Sequence, residues 1–455
     1  MTEVPQRTPG RVPVNNQTAP STHIDDVPLS RFHLRLAIYT GGGPFIDGYI
    51  LAILGVAMVQ LTPQLQLSAA IEGIVGAAAL VGLFIGASLG GYLTDRVGRQ
   101  RLYTWDLFSI VVLSVVQFWI ADALTLILMR LLIGIAVGAD YPIASSLLTE
   151  FSPKRYRGPF IGGLIAAFFA GSAAAYVVGE LLLHTGDNGW RWMLASAAVP
   201  ALIIAMLRRG TPESPRWLAS KGRIEEANAV MNKVFGPDVV LSDLPPDEKE
   251  SLGFLALFKS GYTGRLLFVT AFWSCSIIPL FAILIFGPQI LGTMNLTGSA
   301  GTIGSAAIQV LFLVGCVIAL ILVNRIGRRR ILIHSFIWSG LALLLLGLFP
   351  DASATWIAIL FAVYAVTIGG TQILCWLYPS ELFPTEVRGA AIGISSALTR
   401  IGAAIGTFLI PLSLIHLGTS TTMLIAAGVT LVGLVVSIIW APETRGLDLT
   451  ESAAL

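Results

Sequence analysis

Residues 150–158 read Glu-Phe-Ser-Pro-Lys-Arg-Tyr-Arg-Gly, and residues 381–389 read Glu-Leu-Phe-Pro-Thr-Glu-Val-Arg-Gly. The frame Glu-x-x-Pro-x-x-x-Arg-Gly thus returns after 231 residues. Two further pairs keep that spacing. Asp95-Arg96-Val97-Gly98-Arg99 is answered 229 residues on by Asn324-Arg325-Ile326-Gly327-Arg328, and Pro212-Glu213 is answered 230 residues on by Pro442-Glu443. Three pairs at one offset indicate a chain made of two similar halves. Each member of a pair follows a long apolar run. Of the 455 residues 55% are hydrophobic and 12% charged, against about 25% charged in soluble proteins, and mean hydropathy is +0.80. This composition implies one apolar bundle facing lipid rather than three soluble domains. The net charge of +2 gives no reason to expect a nucleic-acid partner.

Crossing the hydrocarbon core takes about 20 mainly apolar residues. Runs of that size fall at 34–61, 70–94, 101–120, 123–149, 158–184 and 190–208, then at 264–291, 299–323, 330–349, 354–379, 388–416 and 419–441. The expectation is an all-α membrane protein with twelve spans. Its organisation would be a disordered tail over 1–33, a six-helix bundle over 34–208, a linker over 209–263, a second six-helix bundle over 264–441, and a tail over 442–455. The linker stretch from Pro215 to Phe235 reads as short amphipathic helices at the membrane surface. The first residues show no signal-peptide core, so the first apolar run is expected to direct insertion. Lys and Arg concentrate in the tails and the even-to-odd connections, which predicts both termini on the cytoplasmic side. Cys275, Cys316 and Cys375 lie within apolar runs without metal-ligand spacing, so neither a disulfide framework nor a metal site is expected. Gly41-Gly42-Gly43 does not follow a strand and is not a nucleotide loop. No Walker motif or other cofactor signature is present, and the reading is that the protein is not an enzyme.

Charges inside the spans are candidates for function, because a charge at the bilayer centre costs from about 2.5 to more than 10 kcal/mol. They are Asp47 in the first run, Asp106 in the third, Arg130 and Asp140 in the fourth, and Arg400 in the eleventh. Asp47 and Asp140 stand well inside their runs. Carboxyl groups removed from water hold protons more readily, so these two are the expected proton-coupling residues. Arg130 and Asp106, nearer the faces, read as structural or gating. Arg400 presents a planar fork suited to a carboxylate. Tyr49, Tyr141, Trp273, Gln309, Gln372 and Trp376 complete the candidate substrate-binding set, aromatics with polar tips suiting a ligand of mixed character.

Several of these stretches resemble the major facilitator superfamily and, within it, the sugar-porter and metabolite:proton symporter group. Gly91 to Arg101 is similar to the superfamily's loop between spans 2 and 3, and Arg130-Leu-Leu-Ile-Gly134-Ile-Ala-Val-Gly138 to its fourth-span signature. Pro212-Glu213-Ser-Pro215-Arg216 and Pro442-Glu443-Thr-Arg445-Gly446 resemble the sugar-porter signatures that close spans 6 and 12. The resemblance implies alternating access, with substrate bound between the halves. It also implies a charge network at the cytoplasmic ends: Asp95, Arg96, Arg99, Glu150, Arg157, Glu213, Arg216, Glu381, Arg388 and Glu443. Bidentate pairs of Glu150 with Arg157 and of Glu381 with Arg388 are expected to act as gates.

Gly138-Ala-Asp140-Tyr141-Pro142 resembles proton-coupled phosphate porters, whereas an Arg at the place of Arg400 resembles aromatic-acid and other organic-anion porters. Span 7 lacks the acidic residue of phosphate porters and the Gln-Gln pair of sugar porters. The leading expectation is therefore proton-coupled import of a small organic anion, an aromatic or other monocarboxylate, by a monomer in a bacterial inner membrane. Its partners would be that solute, protons and the lipid bilayer. The alternatives are a proton-coupled sugar, polyol or phosphate importer, or a proton-driven exporter.

Overall fold

The computed structural model describes residues 28–152, 154–208, 212–236 and 261–447. The expected terminal tails therefore lie largely outside the described residues, as does 237–260 of the linker. So do the side chains of Asp95, Arg99, Tyr141, Glu150 and Arg157.

A chain this apolar in lipid must satisfy its backbone polar groups internally, and helices do so. Among the described residues twelve helical spans are long and apolar enough to cross a membrane. In the first half these are α1 (Arg31–Gln64), α2 (Ala69–Val97), α3 (Arg99–Val116), α4 (Ala123–Phe151) and α5 (Lys154–Leu183), followed by a sixth span built from α6 (Gly189–Ser196) and α7 (Ala198–Leu207). Two short helices follow, α8 (Pro215–Ser220) and α9 (Ile224–Phe235). The second half contains α10 (Thr263–Thr293), α11 (Ser299–Ile326), α12 (Arg328–Leu348), α13 (Ala354–Leu382), α14 (Thr385–His416) and α15 (Gly418–Trp440).

The repeated loops are built alike in both halves. Gly98 before α3 and Gly327 before α12 both have φ of 100°, a left-handed conformation that glycine adopts without a Cβ clash. A carboxylate caps each following helix. Glu213 accepts from the backbone N–H of Gln100 at 3.1 Å, and Glu443 accepts from that of Arg328 at 2.9 Å. Unpaired N–H groups and the positive dipole end make a helix start a favourable place for a carboxylate. The duplicated Pro-Glu dipeptides thus fasten the end of each half's last span to the start of its third.

Helices within a half approach closely where glycine removes the side chain. Gly82 of α2 faces Gly134 of α4, Gly90 faces Ala139, and a Cβ on Gly86 would lie 2.1 Å from the carbonyl oxygen of Ile135. The halves meet through α2 with α14, α5 with α11, and α1 with α10. The start of α1 and the end of α15, the chain ends among the described residues, define one face of the bundle. Towards the opposite face, Gly55 abuts the carbonyl of Ile285, Gly73 abuts that of Phe408, and the Tyr176 hydroxyl donates to the carbonyl of Leu284 at 2.6 Å. Helix α10 contains Pro279 and Pro288, with a non-helical break at Phe286 in this contact zone.

Candidate functional site

Three groups of charged and polar side chains stand out, at different depths. The first lies between the halves. Asp47 on α1 is 1% exposed, and its Oδ2 has no hydrogen-bond partner in the protein. It lies within electrostatic reach of Arg400 on α14, in the other half. The Arg400 guanidinium is 5.3 Å from the centre of the Phe281 ring, and that ring meets Phe168 of α5 edge-on at 6.2 Å. One Arg400 nitrogen, Nη1, is buried and unpartnered. Gly48 brings α1 against the carbonyl of Phe168, which holds Asp47 at this depth.

The polar candidates of the second half are buried or half-buried within that half. Gln309 on α11 is fully buried, and neither of its amide atoms has a partner. Gln372 on α13 donates to Ser276 on α10 at 3.4 Å, and Trp273 and Trp376 meet edge to face at 5.3 Å. The Tyr49 hydroxyl is bonded to Ser196 of α6 at 2.8 Å, a contact between spans of one half. The side chain of Tyr141 is not among those described.

The second group is wholly inside the first half. Asp140 on α4 accepts from Arg208 at the end of α7, Nη1 to Oδ1 at 2.7 Å and Nη2 to Oδ2 at 3.3 Å. Both side chains are at most 4% exposed. The guanidinium lies 3.4 Å over the Tyr103 ring, and its Nε donates to the carbonyl of Tyr39 at 3.1 Å. The partner of Asp140 is therefore Arg208. Arg208 escapes a sequence reading because it ends an apolar run beside Arg209, where topology alone accounts for positive charge. Asp106, expected nearer the membrane face, is 5% exposed and belongs to this cluster. Arg130 is buried and donates to the carbonyl of Ile50 at 2.7 Å, tying α4 to α1.

The third group lies at the face bearing the chain ends. Glu381 pairs with Arg328, Nη2 to Oε1 at 2.7 Å, and also accepts from the Thr444 hydroxyl. This corrects the expected Glu381–Arg388 pair: Nε of Arg388 donates to the carbonyl of Phe383 at 3.2 Å. Pro384 interrupts the helix between them, so a spacing of seven does not place the two side chains on one helix face. Glu213 and Glu443 bond helix starts, as described above. Arg96 is exposed in the last turn of α2 and Arg216 half-buried in the first turn of α8. The side chains of the other four members of the expected network, Asp95, Arg99, Glu150 and Arg157, are not among those described.

Twelve spans in two duplicated halves, with a carboxylate and a guanidinium facing each other where the halves meet, define a multi-pass membrane transporter of the major facilitator fold. The chain belongs to the sugar (and other) transporter family, whose profile matches residues 37–455. Among its relatives, the putative metabolite transport protein YaaU of Escherichia coli K12 is 44% identical over 95% of this chain and 97% of its own length. The inner membrane metabolite transport protein YgcS of the same organism is 39% identical over 94% and 96%. The fold matches the partially occluded inward-open xylose transporter XylE from E. coli, with a TM-score of 0.80 at 20% identity, over 92% of this chain and all of that one.

Proposed function

We propose that the protein imports a sugar or sugar-derived metabolite together with protons, through a site between Asp47 and Arg400. The carrying observation is the placement of these two residues. They are opposite charges on opposite halves, each with a buried polar atom lacking a partner. An unsatisfied buried polar atom costs about 1–3 kcal/mol, and a bound solute with hydroxyl or carboxylate groups would relieve that cost in both halves at once. Family membership favours a sugar over the aromatic acid expected from sequence. XylE, similar in fold, is a proton:xylose symporter, and Asp47 offers a membrane-embedded carboxyl for the proton. The asymmetry of Lys and Arg supports a cytoplasmic placement of the face bearing the chain ends, and YgcS supports an inner-membrane location.

A second reading rests on Arg400. A guanidinium with a free nitrogen favours a substrate that carries a carboxylate, such as a sugar acid. Proteoliposomes offered radiolabelled pentoses, hexoses, polyols, sugar acids and aromatic acids from an acidic exterior separate these cases. Uphill accumulation of a neutral sugar or polyol, abolished by an uncoupler, is expected. Accumulation that ignores the uncoupler would overturn proton coupling. Uptake of acids alone, lost in Arg400→Ala, would replace the neutral substrate by the acidic one.

A further inference from the structure

We propose that a groove between α1, α5 and α7 binds the acyl chain of one phospholipid from the leaflet on the side of the chain ends, and that Arg31 and Arg35 select an anionic headgroup for it. This site rests on the membrane-spanning fold and not on which solute is carried.

The groove has a volume of about 700 Å³. Helix α1 lines it with Leu34, Ile38 and Phe45, α5 with Phe160 and Gly163, and α7 with Ile203. No charged side chain is among its lining. Ile38 is 64% exposed and Ile203 48%, so the groove opens on the outside of the bundle, where a span meets hydrocarbon. Gly163 keeps one wall clear, since a Cβ there would meet nothing within 4 Å. From Leu34 to Phe45 the helix rises about 16 Å at 1.5 Å per residue. That is about half of a hydrocarbon core roughly 30 Å thick, the depth of a single leaflet.

The mouth of the groove supplies the headgroup contacts. Arg31 precedes Leu34 by three residues and Ile38 by seven, a spacing that puts all three on one helix face. Arg35 follows one turn on, and both arginines are exposed. Arginine at a membrane surface attracts anionic lipid, and its planar fork can bond a phosphate through two N–H groups. At the same end of α5, Tyr156 stacks on Phe160 with ring centres 6.3 Å apart, and tyrosine is enriched at headgroup level. The second half repeats the groove between α10, α14 and α15, with about 650 Å³ lined by Pro279, Gly406 and Ile425 among others. That copy opens towards the opposite face of the bundle, at the end of α14. The segment at its mouth, 413–421, contains His416 and no arginine or lysine. Each leaflet thus meets an acyl-chain groove, and the two arginines distinguish one from the other.

Native mass spectrometry of the purified full chain, titrated with phosphatidylglycerol or with phosphatidylcholine of identical acyl chains, tests this. The first phosphatidylglycerol should bind roughly 25-fold more tightly than phosphatidylcholine, about fivefold for each arginine. The double variant Arg31→Gln, Arg35→Gln should lose that preference. Gly163→Phe places a ring in the groove and should weaken binding of the first phosphatidylglycerol. His416→Gln should leave the preference unchanged, and glycerol 3-phosphate, which has the headgroup chemistry without acyl chains, should not compete. If Gly163→Phe fails to fold, the double glutamine variant, altered only at exposed positions, decides the matter. The proposal is overturned if the parent binds the two lipids equally or the double variant keeps the preference. It is also overturned if a folded Gly163→Phe binds phosphatidylglycerol as the parent does, if His416→Gln loses the preference, or if glycerol 3-phosphate competes. A dimer that excludes the lipid would equally overturn it and assign the groove to a second copy of the chain.

Discussion

The sequence argument offered Arg388 to Glu381, and the geometry selects Arg328 instead. Arg328 starts α12 and meets Glu381 at the end of α13, with side chains 12% and 11% exposed. The pair bridges two helices and is supported by Thr444 beyond the last span. Removing one partner of a buried ion pair typically costs about 3–5 kcal/mol, because the other charge is left uncompensated. Arg328→Ala should therefore lower the thermal unfolding midpoint markedly, and Arg330→Ala, at an exposed position of the same helix, much less, as read by intrinsic fluorescence. Equal losses would mean that the Arg328 pair contributes nothing special. Arg208 teaches the same lesson in reverse. It carries no motif, and only its reach into the cluster with Asp140 and Tyr103 reveals its role.

At the scale of elements, the apolar runs specify helices, while their glycines specify how closely those helices pack. A Cβ on Gly134 of α4 would lie 2.3 Å from the carbonyl oxygen of Ala79 in α2. Small residues at such contacts let helices approach in lipid, where association depends on packing more than on the hydrophobic effect. Gly163 on α5 has nothing within 4 Å of the corresponding position. Gly134→Leu should therefore destabilise the first half by about 1–3 kcal/mol, the usual range for overpacking, and reduce the yield of monodisperse protein in size-exclusion chromatography. Gly163→Leu should behave like the parent. Indistinguishable yields and midpoints for the two variants would refute this account of the α2–α4 contact.

Across the whole molecule, several contacts between the halves gather towards the face opposite the chain ends. The Tyr176–Leu284 hydrogen bond lies there beside Gly287 and Ser305, both close to the Tyr176 hydroxyl or its neighbours. Alternating access requires such contacts to break when the bundle opens on that side. Tyr176→Phe removes the bond and keeps the ring, so the population should shift towards that opening. With the three native cysteines replaced, a cysteine introduced at Ser305, which is 1% exposed, should react faster with maleimide in Tyr176→Phe than in its Tyr176 counterpart. An unchanged rate would show that this bond does not hold the face closed.

The twelve spans and the two-half organisation were legible in the sequence, because lipid imposes a length and a composition that each span must meet alone. The 229–231-residue repeat was equally legible, and the structure gives it a physical meaning in Gly98 with Glu213 and Gly327 with Glu443. Asp47, Asp140 and Arg400 stood out because charge within a span is rare and costly. Their partners did not stand out. Which arginine meets Asp140, whether Asp106 joins it, and which side of the bundle Tyr49 faces depend on helix rotation and crossing. Those are set by packing between runs far apart in the chain, and no local pattern encodes them. The sequence by itself determined a duplicated bundle of membrane spans with a few buried charges. Only the tertiary structure decided which of those charges meet each other and which face one another across the halves.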